Sequence, residues 1–245
     1  MIDLHCHILP GVDDGAETME DALIMARMAA ESGVTHLVAT PHCNLPYGED
    51  KNYLSPSLLS RFVELRTRIQ EEGIPLKLYP GSEILCTPDL PDLIRQDKLI
   101  PLGSSNYLLI EFFFDEALSY MDDMLEAIAA EGMRPVIAHP ERYEAVQRNP
   151  HIIEQWFVRG HIIQLNKGSI LGRLGRRAKH TAQWILSHGL AHVVASDAHS
   201  PVARTPQMSE LIQYITDHCT DEYANILLHE NPSRILNGHP VVQAD

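Results

Sequence analysis

The alternation of short apolar runs with helical patterns constrains the fold of this chain more than any other feature of its sequence. The apolar runs predict seven β-strands, at Ile2–His5, His36–Thr40, Leu76–Pro80, Leu108–Phe112, Pro135–His139, His161–Asn166 and His192–Ser196. Strands that alternate with helices form parallel sheets with right-handed crossovers. Most of these runs are apolar almost throughout, which is typical of a sheet covered on both faces. The sequence therefore predicts an α/β protein built on parallel strands.

Three helices between the strands have clear signals. Thr18 and Asp21 predict a capping box before the first helix, and Gly33 predicts its end. Apolar residues recur at helical spacing in three stretches: Ala22, Met25, Ala26 and Ala29; Met121, Met124, Leu125 and Ile128; and Ala178, Ala182, Ile185 and Leu186.

The strands could form a closed barrel or an open, doubly wound sheet. An open sheet that binds a dinucleotide would carry a G-x-G-x-x-G motif after its first strand, and this sequence has none there. We therefore predict a TIM-like (β/α)7 barrel. Barrels of this kind run past about 200 residues as one unit, and no linker or low-complexity stretch interrupts the sequence. We expect a single domain over residues 1–245.

Side chains able to bind metals follow nearly every predicted strand. Active sites of α/β barrels lie at the carboxyl ends of the strands, and six of the seven predicted strands deliver an imidazole or a carboxylate there. These residues are His5 and His7, followed by Asp13 and Asp14, then His42, Glu83, Glu111, His139, Asp197 and His199, whereas Asn166 ends the sixth strand.

Imidazoles and carboxylates together are the ligands of Mn, Fe and Zn. A single histidine at a strand end is more often a structural residue, so the prediction depends on the joint occurrence of the whole set. The set exceeds what one ion requires, and we expect two or three divalent metal ions. The remaining nine histidines lie at strand starts, on helices or near the C-terminus, where ordinary structural roles explain them.

Two arginines follow the predicted metal ligands closely. Arg142 lies three residues after His139, and Arg204 lies five residues after His199. A guanidinium offers paired donors that match a phosphate or a carboxylate. An anionic substrate is one interpretation of these arginines, and simple pairing with a neighbouring acidic residue is the other.

The composition narrows the classes of partner. The sequence has 33 Asp and Glu against 19 Lys and Arg, for a net charge of −14. Nucleic acids and anionic membrane surfaces bind proteins rich in basic residues, so the charge argues against both. No basic leader begins the sequence, and its longest apolar stretch, at 107–114, is too short for membrane insertion. We therefore expect a cytoplasmic protein.

The four cysteines invite a rival interpretation, since Cys6 and Cys43 each adjoin a predicted ligand. A thiol nucleophile of the phosphatase kind needs an arginine five residues after the cysteine, and none of the four cysteines has one. We expect all four to serve as small apolar residues of the interior.

The ordered set of motifs resembles the polymerase-and-histidinol-phosphatase (PHP) superfamily, and within it the bacterial CpsB/YwqE-type protein-tyrosine phosphatases. The motifs are His5-x-His7, Asp14, Thr-Pro-His42, Gly-Ser-Glu83, Glu111, His139-Pro-Glu-Arg142 and Ser-Asp197-Ala-His199 with Arg204. The resemblance covers nearly the whole chain. The H-x-H start alone is weak evidence, whereas Glu111, where many PHP relatives carry histidine, and the H-P-E-R motif are specific.

The resemblance implies a distorted (β/α)7 barrel, the PHP fold, with three divalent ions, commonly Mn²⁺, with Fe, Co or Zn as alternatives. It implies that Arg142 and Arg204 clamp the phosphoryl group. The implied ligand sets are His5, His7, Glu83 and Asp197 for one ion; Glu83, Glu111 and His139 for a second, with Glu83 bridging; and Asp14, His42 and His199 for the third.

The activity implied by the resemblance is hydrolysis of phosphotyrosine by direct attack of a metal-activated hydroxide. Family substrates lie on the tail of a bacterial tyrosine kinase that controls capsule or exopolysaccharide synthesis. The first alternative is a PHP phosphatase for a small metabolite such as histidinol phosphate. Two further alternatives are an amidohydrolase-like enzyme that cleaves C–N bonds, and a PHP module that only binds.

A cluster of basic residues follows the sixth predicted strand. Residues 166–179 contain five of the 19 basic residues, namely Lys167, Arg173, Arg176, Arg177 and Lys179. In an acidic protein such a segment could guide a phosphorylated tail toward the site. A solvated helix face is the alternative interpretation.

Overall fold

The computed structural model describes residues 1–47 and 51–243, so residues 48–50 and 244–245 of the predicted domain lie outside the described part. Its strands are β1 (Ile2–Cys6), β2 (His36–Ala39), β3 (His42–Cys43), β4 (Lys77–Pro80), β5 (Glu83–Leu85), β6 (Tyr107–Glu111), β7 (Arg134–Ala138), β8 (Ile162–Asn166) and β9 (Val193–Ala195). Its α-helices are α1 (Met19–Glu31), α2 (Pro56–Glu71), α3 (Leu90–Arg95), α4 (Leu118–Ala130), α5 (Glu144–Arg148), α6 (Ile152–Val158), α7 (Lys167–Ile170), α8 (Arg176–Ser187), α9 (Ser209–His218), α10 (Asp221–Asn225) and α11 (Asn231–Leu236).

All strand pairs are parallel, as predicted, and they form two sheets. One sheet has the order β1-β2-β4, and the other has the order β3-β5-β6-β7-β8-β9. Strand β1 also contacts the segment after β9, because the His7 N–H donates to the Ala198 carbonyl (2.8 Å) and the Asp197 N–H donates to the His5 carbonyl (2.9 Å). The two sheets are therefore connected through β1.

Each of the seven predicted strands has a counterpart, but β3 and β5 were not predicted. They arise because the second and third strands resume after a short break. Pro41, which lacks an N–H for the ladder, separates β2 from β3. Gly81 lies between β4 and β5, where a Cβ would approach the Val38 side chain to 2.7 Å. The break makes His42 and Glu83 the first residues of new strands.

Most of the strands are buried on both faces, which explains their continuous apolar runs. In β6, Leu108 and Ile110 pack with the residues of the main core beneath the helices. Tyr107 and Leu109 belong to a second, smaller core that also includes Leu4 and residues of β2, β7 and β9. Glu111 is the last residue of β6 and lies two residues after Leu109, so it shares the face of the smaller core, at the carboxyl end of the strand.

The three predicted helical patterns correspond to α1, α4 and α8, and each of their predicted apolar positions is buried. The capping box of α1 is present. The Asp21 N–H donates to Thr18 Oγ1 (3.1 Å), and the Thr18 N–H donates to the Asp21 carboxylate (3.1 Å). Among the described residues, no helix combines the length and apolarity needed to cross a membrane.

Removal of this cap gives a direct test of the α1 boundary. We expect Thr18→Ala to lower the free energy of unfolding by about 1 kcal/mol, because the Asp21 N–H loses its acceptor. Thr18→Ser keeps the hydroxyl and serves as the matched control. Urea denaturation checks both variants, and equal destabilisation by Ser and Ala would contradict the assignment.

Candidate metal centre

The nine predicted metal ligands converge at the carboxyl ends of the strands, most of them buried. Their nitrogen and oxygen atoms form overlapping groups in which all ligand atoms lie within 4.8 Å of one another. These groups are His7, Asp14, His42 and His199; His5, His7 and Glu83; and His42, Glu83 and Glu111. The remaining two, Asp197 and His139, contact members of the groups directly.

Glu83 lies at the centre of the cluster. Its Oε2 is 3.2 Å from Nε2 of both His5 and His7 and 3.1 Å from Nδ1 of His42. Its Oε1 is 2.8 Å from His139 Nε2. Although burial opposes ionisation, the surrounding imidazoles hold the pKa of Glu83 well below its usual range. One carboxylate thus faces four imidazoles, and such a group could bridge metal ions held by these histidines.

Asp197 presents its two oxygens to different partners. Oδ1 faces the imidazoles and is 3.5 Å from His5 Nε2 and 3.6 Å from His7 Nε2. Oδ2 faces the other way, toward Arg204 Nη2 at 2.6 Å, and also accepts a hydrogen bond from the Asn166 amide. The side chain therefore connects the imidazole cluster to an arginine.

Glu111 lies between two histidines, with Oε2 3.5 Å from His42 Nδ1 and Oε1 3.7 Å from His139 Nε2. Burial and the negative charges of Glu83 and Asp197 raise the pKa of Glu111 to about 9. A proton or a cation must therefore offset its charge. Divalent cations at this position would keep the carboxylate ionised.

Asp14 occupies the exposed edge of the cluster. Its Oδ1 is 3.5 Å from Nε2 of both His42 and His199. Burial, together with the neighbouring His7, lowers the pKa of His199 to about 3. His199 is therefore a neutral imidazole, the form that binds metals.

The three groups share residues with the ligand sets that the resemblance implies, but they combine those residues differently. His7 is grouped with Asp14, His42 and His199, and His42 is grouped with Glu83 and Glu111. His139 also contacts both Glu83 and Glu111, as the implied second set requires. The assignment of individual ligands to individual ions remains a prediction.

Two side chains orient the first pair of histidines, and one of them was missed from the sequence. The Asp13 carboxylate accepts from His7 Nδ1 (2.7 Å), and Gln164 Oε1 accepts from His5 Nδ1 (2.9 Å). Each bond places a proton on Nδ1 and turns Nε2 toward the cluster, where it is the nitrogen that a metal ion would meet. Asp13 thus differs in role from Asp14. The one sequence signal for the role of Gln164 was that a polar amide interrupts the apolar strand β8.

The loop after β1 is shaped around Asp13. The Asp13 carboxylate also accepts the backbone N–H groups of His42 (2.8 Å) and Gly15 (3.0 Å). Although burial raises the pKa of Asp13, His7 outweighs it and lowers the value to about 2. A Cβ at Gly15 would lie 2.1 Å from the His7 carbonyl oxygen, so only glycine fits this close approach.

Three site residues have left-handed backbones, with φ of 34° at His139, 48° at Asp197 and 51° at Arg204. Such conformations are unfavourable for these residue types and are concentrated at functional sites. Ala138 faces the smaller core, so regular alternation would point His139 away from the cluster. The left-handed turn allows its ring to reach Glu83 instead.

Both predicted arginines lie at the rim of the cluster. Arg142 Nη1 is 3.6 Å from the same Asp197 oxygen that Arg204 contacts. The Arg142 guanidinium lies over the ring of the half-exposed Phe114, 4.3 Å from its centroid. Both arginines therefore pair with an acidic residue beside the cluster, which confirms one of the two interpretations, and their binding of an anionic substrate stays a prediction.

The cluster fits divalent metal ions on its own chemistry. Among the described residues, His42 Nδ1, Asp197 Oδ1 and His199 Nε2 are buried atoms that make no hydrogen bond. Buried polar atoms are ordinarily paired, and a metal ion would supply the partner. The donor set, imidazole nitrogens and carboxylate oxygens, suits Mn, Fe, Co or Zn.

The other predictions at this end of the molecule have mixed outcomes. Cys6, Cys43 and Cys86 are buried, and burial raises the pKa of the Cys6 and Cys86 thiols, which disfavours a thiolate nucleophile.

The prediction that Lys167 belongs to a solvated basic segment is wrong, because its side chain is buried and donates to backbone carbonyls. Arg173 pairs with Glu210 at 2.5 Å. The other three basic residues of the segment are exposed, namely Arg176, Arg177 and Lys179.

Fold and site together define a class of protein: a parallel α/β protein with a candidate metal site, built from imidazoles and carboxylates, at the carboxyl ends of its strands. The chain belongs to the capsular polysaccharide synthesis family CpsB/CapC, whose model matches residues 1–237.

Relatives of the chain cover almost all of it. It is 34% identical over 242 residues to the tyrosine-protein phosphatase YwqE of Bacillus subtilis, covering 98% of this chain and 93% of that protein. It is 32% identical to the putative tyrosine-protein phosphatase CapC of Staphylococcus aureus, over 86% of this chain and 82% of that protein.

A solved structure is similar to this chain over its whole length. It belongs to the crystal structures of YwqE from Bacillus subtilis and CpsB from Streptococcus pneumoniae, which are described as unique metal-dependent tyrosine phosphatases. The match has a TM-score of 0.91 and 33% identity, and covers 100% of this chain and 97% of the other. A phosphotriesterase of Mycobacterium tuberculosis, at 14% identity and a TM-score of 0.59, shares the fold over 90% of this chain and 86% of its own.

The role of Asp13 can be tested without an activity assay. We expect Asp13→Asn to lower metal affinity about 10- to 100-fold, because the amide no longer provides a carboxylate to hold the His7 imidazole. Equilibrium dialysis with metal analysis measures this. Asp123→Asn changes an exposed aspartate on α4 and is the control. Equal metal affinity in the two variants would contradict the role given to Asp13.

Proposed function

We propose that this chain is a metal-dependent protein-tyrosine phosphatase, a phosphoric monoester hydrolase of capsular polysaccharide synthesis. The observation that supports this most strongly is the cluster around Glu83, with Arg142 and Arg204 at its rim. The family to which the chain belongs is one of capsular polysaccharide synthesis, and its relative YwqE is a tyrosine-protein phosphatase. Its substrate is a phosphotyrosine-bearing protein, for which we propose the tail of a bacterial tyrosine kinase that controls capsule or exopolysaccharide synthesis.

We further propose that the cluster holds three divalent ions, with Mn²⁺ as the working choice, in a single domain with a distorted (β/α)7 barrel. The backbone contacts between β1 and the segment after β9 support the barrel, because they join the first strand to the last. The three overlapping groups of ligand atoms support the number of ions. The ligands would be His5, His7, Asp14, His42, Glu83, Glu111, His139, Asp197 and His199.

Bound divalent ions would supply Lewis acidity and lower the pKa of water, so that hydroxide is available as the nucleophile near neutral pH. The chain supplies the remaining requirements. Arg142 and Arg204 offer planar pairs of donors to the equatorial oxygens of the phosphoryl group, where charge is concentrated during transfer. The Phe114 ring supports the Arg142 guanidinium from one side.

The leaving group makes few demands on the protein. A tyrosyl oxygen departs as a phenol or phenolate with a pKa of about 10. A dedicated general acid is therefore less necessary than for an alkyl phosphate. We assign no residue to that role.

Chelation and cysteine replacement together separate the metal mechanism from a thiol mechanism. We expect EDTA to abolish hydrolysis of a phosphotyrosine peptide and added Mn²⁺ to restore it. A variant with all four cysteines replaced by alanine should retain turnover, because their side chains take no part. Full activity in EDTA, or loss of activity in the folded cysteine-free variant, would contradict the proposal.

A substrate panel in the same assay discriminates the alternatives. Phosphotyrosine peptide should be hydrolysed faster than phosphoserine peptide or histidinol phosphate, and a preference for histidinol phosphate would favour a small-molecule phosphatase. The amidohydrolase alternative lacks the strand-borne lysine that could carry a bridging carbamate. Between Glu83 and His139, a stretch that the structure describes throughout, the one lysine is Lys98, which lies outside the strands.

The arginine pair can be tested by truncation. We expect Arg142→Ala and Arg204→Ala each to lower kcat/KM on the order of 10²- to 10³-fold, because charge on the phosphoryl oxygens loses a paired donor. Arg68→Ala, on the outer face of α2, is the matched control. Steady-state kinetics with metal-loaded protein measures the effect. Unchanged kinetics in both site variants would assign the arginines to structural pairing with Asp197 alone.

A further inference from the structure

Lys167 is an unusual residue for its position. It is the first residue of α7, directly after β8, and its side chain is 2% exposed. Lysine is almost never buried to this degree unless its charge is compensated and its donors are satisfied. Here Nζ donates to the backbone carbonyls of Thr205 and Gln207, the latter at 3.0 Å. A buried ammonium thus holds a loop that is distant in sequence.

That loop, residues 199–208, carries Arg204. On the N-terminal side of Arg204, the His199 N–H donates to the Arg204 carbonyl (2.9 Å), which closes a turn that ends at the left-handed Arg204. On the C-terminal side, the two carbonyls that accept from Lys167 follow Arg204 by one and three residues. Arg204 is therefore held between two anchors, and one of them is the lysine.

Asn166, the residue before Lys167, contacts the partner of the Arg204 side chain. The Asn166 amide donates to Asp197 Oδ2, the oxygen that Arg204 Nη2 contacts at 2.6 Å. Consecutive residues at the end of β8 therefore hold both Asp197 and the backbone that follows Arg204. We propose that Lys167 is a positioning residue that fixes the loop 199–208, so that the Arg204 guanidinium faces the phosphoryl group. The kinetic part of this inference rests on the proposed phosphatase function.

The test is a double-mutant cycle. We expect Lys167→Met to lower kcat/KM for a small aryl phosphate about 10- to 100-fold, because a displaced Arg204 no longer meets the phosphoryl oxygens. In an Arg204→Ala background the same change should lower kcat/KM by no more than about twofold, since the residue it positions is absent. Lys77→Met, at an exposed lysine of β4, is the control and should leave kinetics unchanged.

Two measurements do not depend on turnover. Hydrogen exchange of peptides covering 199–208 should become faster in Lys167→Met, while the melting temperature and bound metal stay close to those of the unmutated protein. Calorimetry with inorganic phosphate and Mn²⁺-loaded protein should show weaker binding. If the unmutated protein hydrolyses no phosphate ester, the proposed function fails, and these two measurements still decide the role of Lys167.

Three outcomes would overturn the inference. The first is an equal loss of activity with and without Arg204, and the second is unchanged exchange in the loop. Lys167→Gln keeps one donor and replaces the methionine variant if that variant does not fold. Failure of both variants to fold is the third, because Lys167 would then be required for the whole fold rather than for Arg204.

Discussion

The structure depends on how buried carboxylates are compensated at the carboxyl ends of the strands. Glu83 and Asp197 are about 1% exposed and lie close to Glu111, whose raised pKa of about 9 reflects that crowding. Ionised carboxylates in such surroundings are costly unless cations compensate them. Although burial opposes it, the carboxylates raise the pKa of His5 and His7, so these imidazoles offset part of the charge, and the arginines reach only the rim. Divalent ions are the compensation that this donor set fits.

The backbone makes this concentration of side chains possible. Regular strands send alternate residues to opposite faces, so a strand can supply only every second residue to a site. The chain departs from regularity where ligands are needed. The register of β1 shifts between Asp3 and Cys6, in the stretch that contains His5. Left-handed residues follow β7 and β9 at His139 and Asp197. The strain at these positions is tolerated because the surrounding ladders hold the strands in place.

Most of the site was predictable because its residues follow strands, and strands are visible as apolar runs. The parallel pairing, the buried faces of α1, α4 and α8, and the convergence of ligands such as His42 and Glu83 all follow from that pattern. The short strands β3 and β5 were not predictable, since pairing across a proline or glycine break depends on the neighbouring strands. Gln164 was missed for a related reason. Its function depends on which imidazole it meets, and only the three-dimensional structure shows that contact.

Asp197 shows why the metal cluster and the arginines should be considered one unit. Its Oδ1 faces His5 and His7, whereas its Oδ2 receives Arg204 and the Asn166 amide. A phosphoryl group that approaches the arginines must therefore compete with a carboxylate oxygen. Pairing with Asp197 would also hold both guanidiniums in place before a substrate binds, which would reduce the entropy lost on binding. Removal of Asp197 would disturb both parts at once, so its effect on catalysis cannot be divided between metal binding and arginine positioning.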